Sequence, residues 1–416
     1  MNCAERTKRV FDQVSEARLV ALARDIIAIP SPNFGEAKVA DYLADYMTDM
    51  GLAVEMMEVS HPNDGAKKTK QPIGRLKGDG GGPCLMLNGH MDTNVVMSGW
   101  TVDPYAGKFE DGWIWGLGAQ DDKGGIAAAI TAVDSVIRSG VKLNGDVLVC
   151  PVATHKLGGT GTRTLMKNGV HADLCINLEH AANTIGSVIV GSIRVKIKTT
   201  TPGLFFRFTP EARAKYFNAI EQQCELIRRF GTSLGTTLPG NWLRFTPHPD
   251  LPNFPMIRYD WIHKEHYGRD CEMLFQVRTV PGMSLVAFKE DVNQVLAQAK
   301  REIPMLDFEV TIPADGPDDP FYMEPTEVPR DHPLVVALAE GQELASGHPA
   351  EIGGVERIGN FGDGNVLAAY GIPTVQYGPG NIKNYPEWPA ADERVEVCEL
   401  METTKAVAHV IAKLCG

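Results

Sequence analysis

Leu85-Met86-Leu87-Asn88-Gly89-His90-Met91-Asp92 is an apolar run that stops on a His-x-Asp pair, and Gly118-Ala119-Gln120-Asp121-Asp122-Lys123-Gly124-Gly125 follows it, acidic and rich in glycine. The first stretch reads as a buried strand over Cys84 to Asn88. The second opens an Ala-rich, buried helix over Gly124 to Ser139, which leads to another apolar strand, Asp146 to Val152. Strand, helix and strand in alternation predict an α/β sheet. An imidazole at a strand end, steadied by a carboxylate two residues on and joined later by a second carboxylate, is how a hydrolase mounts a divalent metal.

Toward the N-terminus, helical periodicity covers Glu16 to Ile29, and Pro30 and Pro32 end that helix in a loop. A second helix, Glu36 to Gly51, precedes strands at Ala53 to Val59 and Pro72 to Lys77. The style changes after Glu179. Val188 to Thr199 alternates as a strand, Ala212 to Phe230 is helical, Asp270 to Arg278 is a strand and Leu285 to Ile303 a helix. Two strand-helix units fit a small inserted α+β domain. The α/β style returns with a helix over Pro333 to Ala345, a Gly-rich loop over Gly359 to Gly364, a strand over Thr374 to Gly378 and a terminal helix over Val397 to Leu414. The expected boundaries are 1–186 and 309–416 for one catalytic domain and 187–308 for the insertion.

The 416 residues exceed what one core usually sustains, in keeping with two domains. A net charge of -12, from 40 basic and 52 acidic residues without long runs of one sign, argues against nucleic acid or an anionic membrane as the main partner. A small-molecule substrate remains. The eight cysteines are scattered without Cys-x-x-Cys spacing, several inside apolar runs, which reads as reduced core thiols and a cytoplasmic compartment. No apolar stretch approaches the roughly 20 residues of a membrane span, and neither a signal peptide nor an anchor is expected.

The order and spacing of several segments resemble the family of aminoacylases, succinyl-diaminopimelate desuccinylases and glutamate carboxypeptidases, over nearly the whole chain. The residues that carry the resemblance are His90-x-Asp92, Trp115 to Gly125, Gly158-Gly159-Thr160-Gly161-Thr162, Asn218-Ala219-Ile220, Val277-Arg278, Gly371-Ile372-Pro373-Thr374 with Gly378-Pro379-Gly380, and Asp392-Glu393-Arg394-Val395. The resemblance implies a zinc-peptidase-like catalytic domain, with a mixed central sheet flanked by helices, and an inserted α+β lid that dimerises. It also implies two metals bridged by one aspartate. Carried over by position, the first metal keeps His90, the bridging Asp121 and Glu179, with Asp92 holding the His90 ring. The second metal loses its glutamate to Lys156 and its late histidine to Pro389, and the general-base glutamate becomes His155.

An ammonium cannot ligate a cation, so one divalent ion per subunit is expected, Mn²⁺ or Zn²⁺ first and Co²⁺ or Fe²⁺ also compatible with a mixed nitrogen and oxygen shell. Metal-activated water is then the nucleophile, His155 a proton shuttle, and Lys156, Arg278 or Arg394 a partner for a substrate carboxylate. Phe206 and Arg207, in the loop that stands where relatives carry a lid histidine, are expected to contact a flat ring. With one ion fewer, an electron-poor aromatic amine that releases ammonia is the favoured substrate, as in nitroanthranilate aminohydrolase, a relative with a rebuilt metal site. An amidase or carboxypeptidase acting on an N-acyl amino acid is the alternative, and a degenerate binding protein the third reading. A homodimer through the insertion and an aromatic carboxylate substrate complete the expectations.

Overall fold

The middle strand of the largest sheet is β3 (Leu85–His90), every residue of which is buried. The computed structural model describes residues 2–201, 209–210, 217–231, 242–265, 269–314, 316, 318–354, 361–380 and 391–416. They divide into two compact units, Met1–Ile189 with Glu327–Gly416, and Val190–Thr326.

In the first unit, β3 is flanked by β6 (Val147–Val152) and β7 (Leu174–Asn177), both parallel to it, with Leu85 level with Val147 and with Leu174. Beyond β6 lie β2 (Asp64–Leu76) and β1 (Ala53–His61), both antiparallel to their neighbours. Beyond β7 lie β16 (Thr374–Gln376), β8 (Ile185–Ile189) and β14 (Thr326–Glu327), and β15 (Ile352–Gly354) pairs with β8. The result is the expected mixed central sheet. Strands buried on both faces need helices on both, and α4 (Lys123–Ser139) supplies one almost without exposed residues, ending at Gly140 in the left-handed region. The pair α8 (Pro333–Ser346) and α10 (Val397–Val410) packs beside it. Parallel strands that end together place their following loops together. Hence the ends of β6, β3 and β7 bring Ala153 to Lys156, His90 and Glu179 to one edge of the sheet.

A separate three-stranded ribbon, β4 (Lys108–Glu110), β5 (Trp113–Trp115) and β17 (Arg394–Glu396), is antiparallel throughout. The second unit is an antiparallel sheet in the order β10 (Met256–Glu265), β11 (Asp270–Thr279), β9 (Gly191–Thr200), β12 (Phe308–Thr311). Its core joins Ile193, Val195, Ile197 and Phe275 of the strands to Leu226 and Phe230 of α6 (Ala219–Phe230) and Phe288 and Val292 of α7 (Leu285–Glu302).

Two boundaries differ from the sequence reading. The stretch Val188 to Thr199, read as one strand, breaks at Val190, so that β8 joins the first sheet and β9 the second. Gly191 sits at the break because a Cβ there would lie 2.4 Å from Thr279 Oγ1 and 2.5 Å from the Met323 carbonyl oxygen. The second unit also runs past 308 to Thr326, since β12 and β13 (Tyr322–Met323) both pair with β9. Likewise the terminal α-helix stops at Val410 and continues as a π-turn over Ile411–Cys415. All eight cysteines are free thiols, and among the described residues no helix is long and apolar enough to cross a membrane.

Candidate metal centre

His90 closes β3 with its ring almost wholly buried, and its Nδ1 donates to the backbone carbonyl of Asp92 at 2.8 Å. That bond leaves Nε2 as the ligand atom. Nε2 stands 2.9 Å from Asp121 Oδ1 and 3.9 Å from Glu179 Oε1. The three residues assigned to one metal therefore meet in a pocket where each is under 5% exposed.

Asp92 does not grip the ring through its carboxylate, as expected; Oδ1 is 3.7 Å from Nδ1. The carboxylate instead accepts the backbone N–H of His155 at 2.8 Å and of Lys156 at 3.1 Å. Glu36, fully buried, accepts the neighbouring N–H of Thr154 at 3.0 Å. Thr154 lies in the left-handed region at φ 57, and His155–Leu157 form a single 3₁₀ turn. Two buried carboxylates thus tie down three successive amides of a strained turn. Asp92 acts as a positioning residue.

That turn aims its side chains inward. Lys156 Nζ lies 2.9 Å from Asp121 Oδ2, so the aspartate presents one oxygen to His90 and the other to an ammonium. Burial opposes the charges of both partners, yet the pairing prevails: Asp121 is held well below the usual carboxylate range, mainly by Lys156 and then His90, and Lys156 is raised mainly by Asp121. The His155 ring stacks on His90, with centroids 4.3 Å apart and planes 12° from parallel. Its Nδ1 donates to Asp363 Oδ2 at 2.9 Å and is 3.5 Å from Glu179 Oε1. Burial works against a charge on His155, but Glu179 and Asp363 outweigh it and push it up to about 10. Gly362 permits this contact, because a Cβ there would sit 2.3 Å from His155 Cε1.

Several residues of the site carried no role in the sequence reading. Asp363 had been read within the Gly-rich loop Gly359 to Gly364; it begins the short helix α9 (Asp363–Ala369), and its neighbours Gly362 and Gly364 are the only local sign of it. His180 Nδ1 is 3.7 Å from Asp121 Oδ1 and 3.7 Å from Glu179 Oε2, and burial lowers its basicity against the pull of those two carboxylates. Glu393 accepts the N–H groups of Gly118, Gln120 and Asp121 at 2.9–3.1 Å and so shapes the loop that carries Asp121. Asp122, joined to Asp121 by a cis peptide bond, accepts the N–H of His90 at 3.2 Å; burial, Glu179 and Asp121 hold it well above the usual range.

The proposed substrate contacts fare differently. Arg394 stacks its guanidinium on Trp115 and Trp113, 4.3 and 5.1 Å from the ring centroids, and this cation–π contact is where the structure places it. Arg278 lies on β11 of the second unit, level with Ser192 on β9. Phe206, Arg207 and Pro389 lie outside the described residues.

The donors fit a divalent ion. They mix nitrogen and oxygen and converge from buried or half-buried positions: His90, His155 and Glu179, and likewise Asp121, Glu179 and His180, each offer one ligand atom within 4.8 Å of the other two. Peptidase family M20/M25/M40 matches residues 86–413. The chain belongs to this family. Among its relatives, the N-formyl-4-amino-5-aminomethyl-2-methylpyrimidine deformylase of Bacillus subtilis is 26% identical over 435 residues, covering 98% of this chain and 97% of that protein. An acetylornithine deacetylase of Edwardsiella ictaluri is 28% identical over 410 residues, covering 95% of this chain and 97% of its own length. The M20 fold is also seen in a dinuclear metal-binding peptidase from Bacillus subtilis, with a TM-score of 0.63, 16% identity, and coverage of 95% of this chain and 97% of that one.

Proposed function

We propose that this M20 member is a single-ion amide hydrolase that removes a small acyl group, formyl or acetyl, from an amine-bearing small molecule. The observation that carries the single ion is Lys156 Nζ on Asp121 Oδ2, 2.9 Å away. The resemblance puts a second metal's glutamate at that position, and here a fixed ammonium neutralises the carboxylate oxygen that a second ion would take. Relatives that match almost end to end are named as a deformylase and a deacetylase, which supports hydrolysis of a C–N bond at a small acyl group. They lend no support to the aromatic aminohydrolase expected first, and the amidase reading replaces it.

When bound by His90, Asp121 and Glu179, a divalent ion supplies Lewis acidity that activates water and polarises a carbonyl oxygen. The chain's own residues do the rest. Lys156 holds the second Asp121 oxygen, so the carboxylate cannot swing between ligands. Asp363 fixes His155 through Nδ1, leaving Nε2 to carry a proton to the departing amine. A formyl carbonyl is less hindered and more electrophilic than a peptide carbonyl within a chain, which suits a centre with one ion where dinuclear relatives have two.

The test is to load the purified protein with Zn²⁺, Mn²⁺ or Co²⁺ and assay acid and ammonia separately on N-formyl, N-acetyl and N-succinyl amines and on aminobenzoates. Formate or acetate release without ammonia is expected, with one ion per subunit. Ammonia release from an aminobenzoate without any acid reinstates the aromatic reading, and two ions per subunit overturn the single-ion centre.

A further inference from the structure

We propose that His180 is a fourth ligand to the ion, making the centre a cage of two imidazoles and two carboxylates; this rests on the single-ion reading above. Four residues close a ring, Glu179 through both of its oxygens: His90 Nε2 to Asp121 Oδ1 at 2.9 Å, Asp121 Oδ1 to His180 Nδ1 at 3.7 Å, His180 Nδ1 to Glu179 Oε2 at 3.7 Å, and Glu179 Oε1 back to His90 Nε2 at 3.9 Å. All four residues are more than nine-tenths buried. The two His180 separations are too long for hydrogen bonds and match the spacing of atoms that share a cation.

His180 has little freedom to point elsewhere. It follows Glu179 beyond the end of β7, where Leu178 donates to the Asn88 carbonyl of β3, and Ala181 and Ala182 donate to the carbonyls of Gly378 and Gly380. The backbone on either side is thereby clamped to two other segments of the same unit. A Cβ on Gly380 would come 3.2 Å from His180 Cβ, so that loop lies close against the base of the His180 side chain.

The sequence gives a reason for an extra ligand. The resemblance assigns one imidazole to each of two metals, and the second falls on Pro389. A histidine next to Glu179 returns that imidazole to the surviving ion. Both imidazoles then address one Asp121 oxygen, while Lys156 holds the other. A shell of two imidazoles and two carboxylates selects Zn²⁺, Co²⁺ or Fe²⁺ over Mn²⁺, whose preference runs toward oxygen.

The full-length protein should be stripped and titrated with Co²⁺ as wild type, His180→Ala, His180→Gln and His180→Cys, following visible absorption, metal content and the circular dichroism of the apo forms. One ion per wild-type subunit is expected, with affinity weakened on the order of 100-fold in His180→Ala and His180→Gln. The absorption of the bound Co²⁺ should change with them. In His180→Cys a thiolate-to-cobalt charge-transfer band should appear, a signature that a packing role cannot produce and that is scored only in folded protein. Unchanged Co²⁺ affinity and spectrum in folded His180→Ala, or no charge-transfer band in folded His180→Cys, overturns the assignment while leaving the single-ion reading intact. Zero or two ions in the wild type overturns that reading itself.

Discussion

His90 and Glu179 are mounted at or just beyond the ends of strands, whereas His155 and Lys156 sit on a turn three residues long, yet the four side chains meet within a few ångströms. The two mountings are held by different forces. His90 inherits its place from ladder hydrogen bonds on both sides of β3, in a sheet whose middle is wholly buried. The Thr154 to Lys156 turn has no ladder. It is held by the carboxylates of Glu36 and Asp92, which reach it from 118 and 63 residues away in the chain. A cation site benefits from the first kind of support, since its donors must not move. The second kind presents His155, which on the function proposed above moves a proton, and Lys156, which holds Asp121.

This division predicts different failures on its two sides. Asp121→Ala removes the residue shared by His90, Lys156 and the ion, and should abolish metal binding and turnover together; elemental analysis beside an acid-release assay checks it. Turnover with no bound ion would break the metal reading outright. Asp363→Asn should retain one ion per subunit but lower kcat on the order of 10²-fold with little change in KM, because His155 loses the carboxylate that orients it. An equal loss of metal in Asp363→Asn would erase the distinction between strand ends and turn. Lys156→Met removes the ammonium from Asp121 Oδ2, and kcat should fall on the order of 10-fold while ion content stays at one. A rise to two ions would show that the ammonium alone keeps a second cation out.

The same contrast explains what could be read from the chain. Strands of four to six apolar residues alternating with an Ala-rich helix advertise the α/β sheet, and His90, Asp121 and Glu179 stand at the places that such strands and their following loops mark out. The break at Val190 left no such mark. The apolar run Val188 to Val190 passes within three residues into the alternation that starts at Ile193, and only the competing partners of β8 and β9 decide where one sheet ends. Strand β10 was missed because it directly follows a proline-rich segment, with Pro247, Pro249, Pro252 and Pro255 ahead of it. Asp363 reaches His155 across 208 residues, and Gly-Asp-Gly is as good a turn as it is a helix start. Glu36 offered even less, being one more acid at the head of an amphipathic helix. Contacts made by topology between distant segments have no local pattern to betray them.

Glu36 gives the mildest and most quantitative test of how the turn is held. Burial first, and then the charge of Asp92, raise its pKa from 4.5 to about 7. Below pH 4.5 the carboxyl is protonated in folded and unfolded chains alike, so it costs nothing. Between 4.5 and about 7 the unfolded chain releases the proton while the folded chain keeps it, and stability declines through that window; above about 7 the loss is complete. A shift of that size corresponds to about 3 kcal/mol at most. Glu36→Gln keeps an amide oxygen for the Thr154 N–H but cannot titrate. Urea unfolding at steps from pH 4.5 to 8 should find the variant matching wild type at the acid end and exceeding it by about 1–3 kcal/mol at pH 8. Coincident curves at pH 8 would mean that the buried carboxylate ionises without penalty.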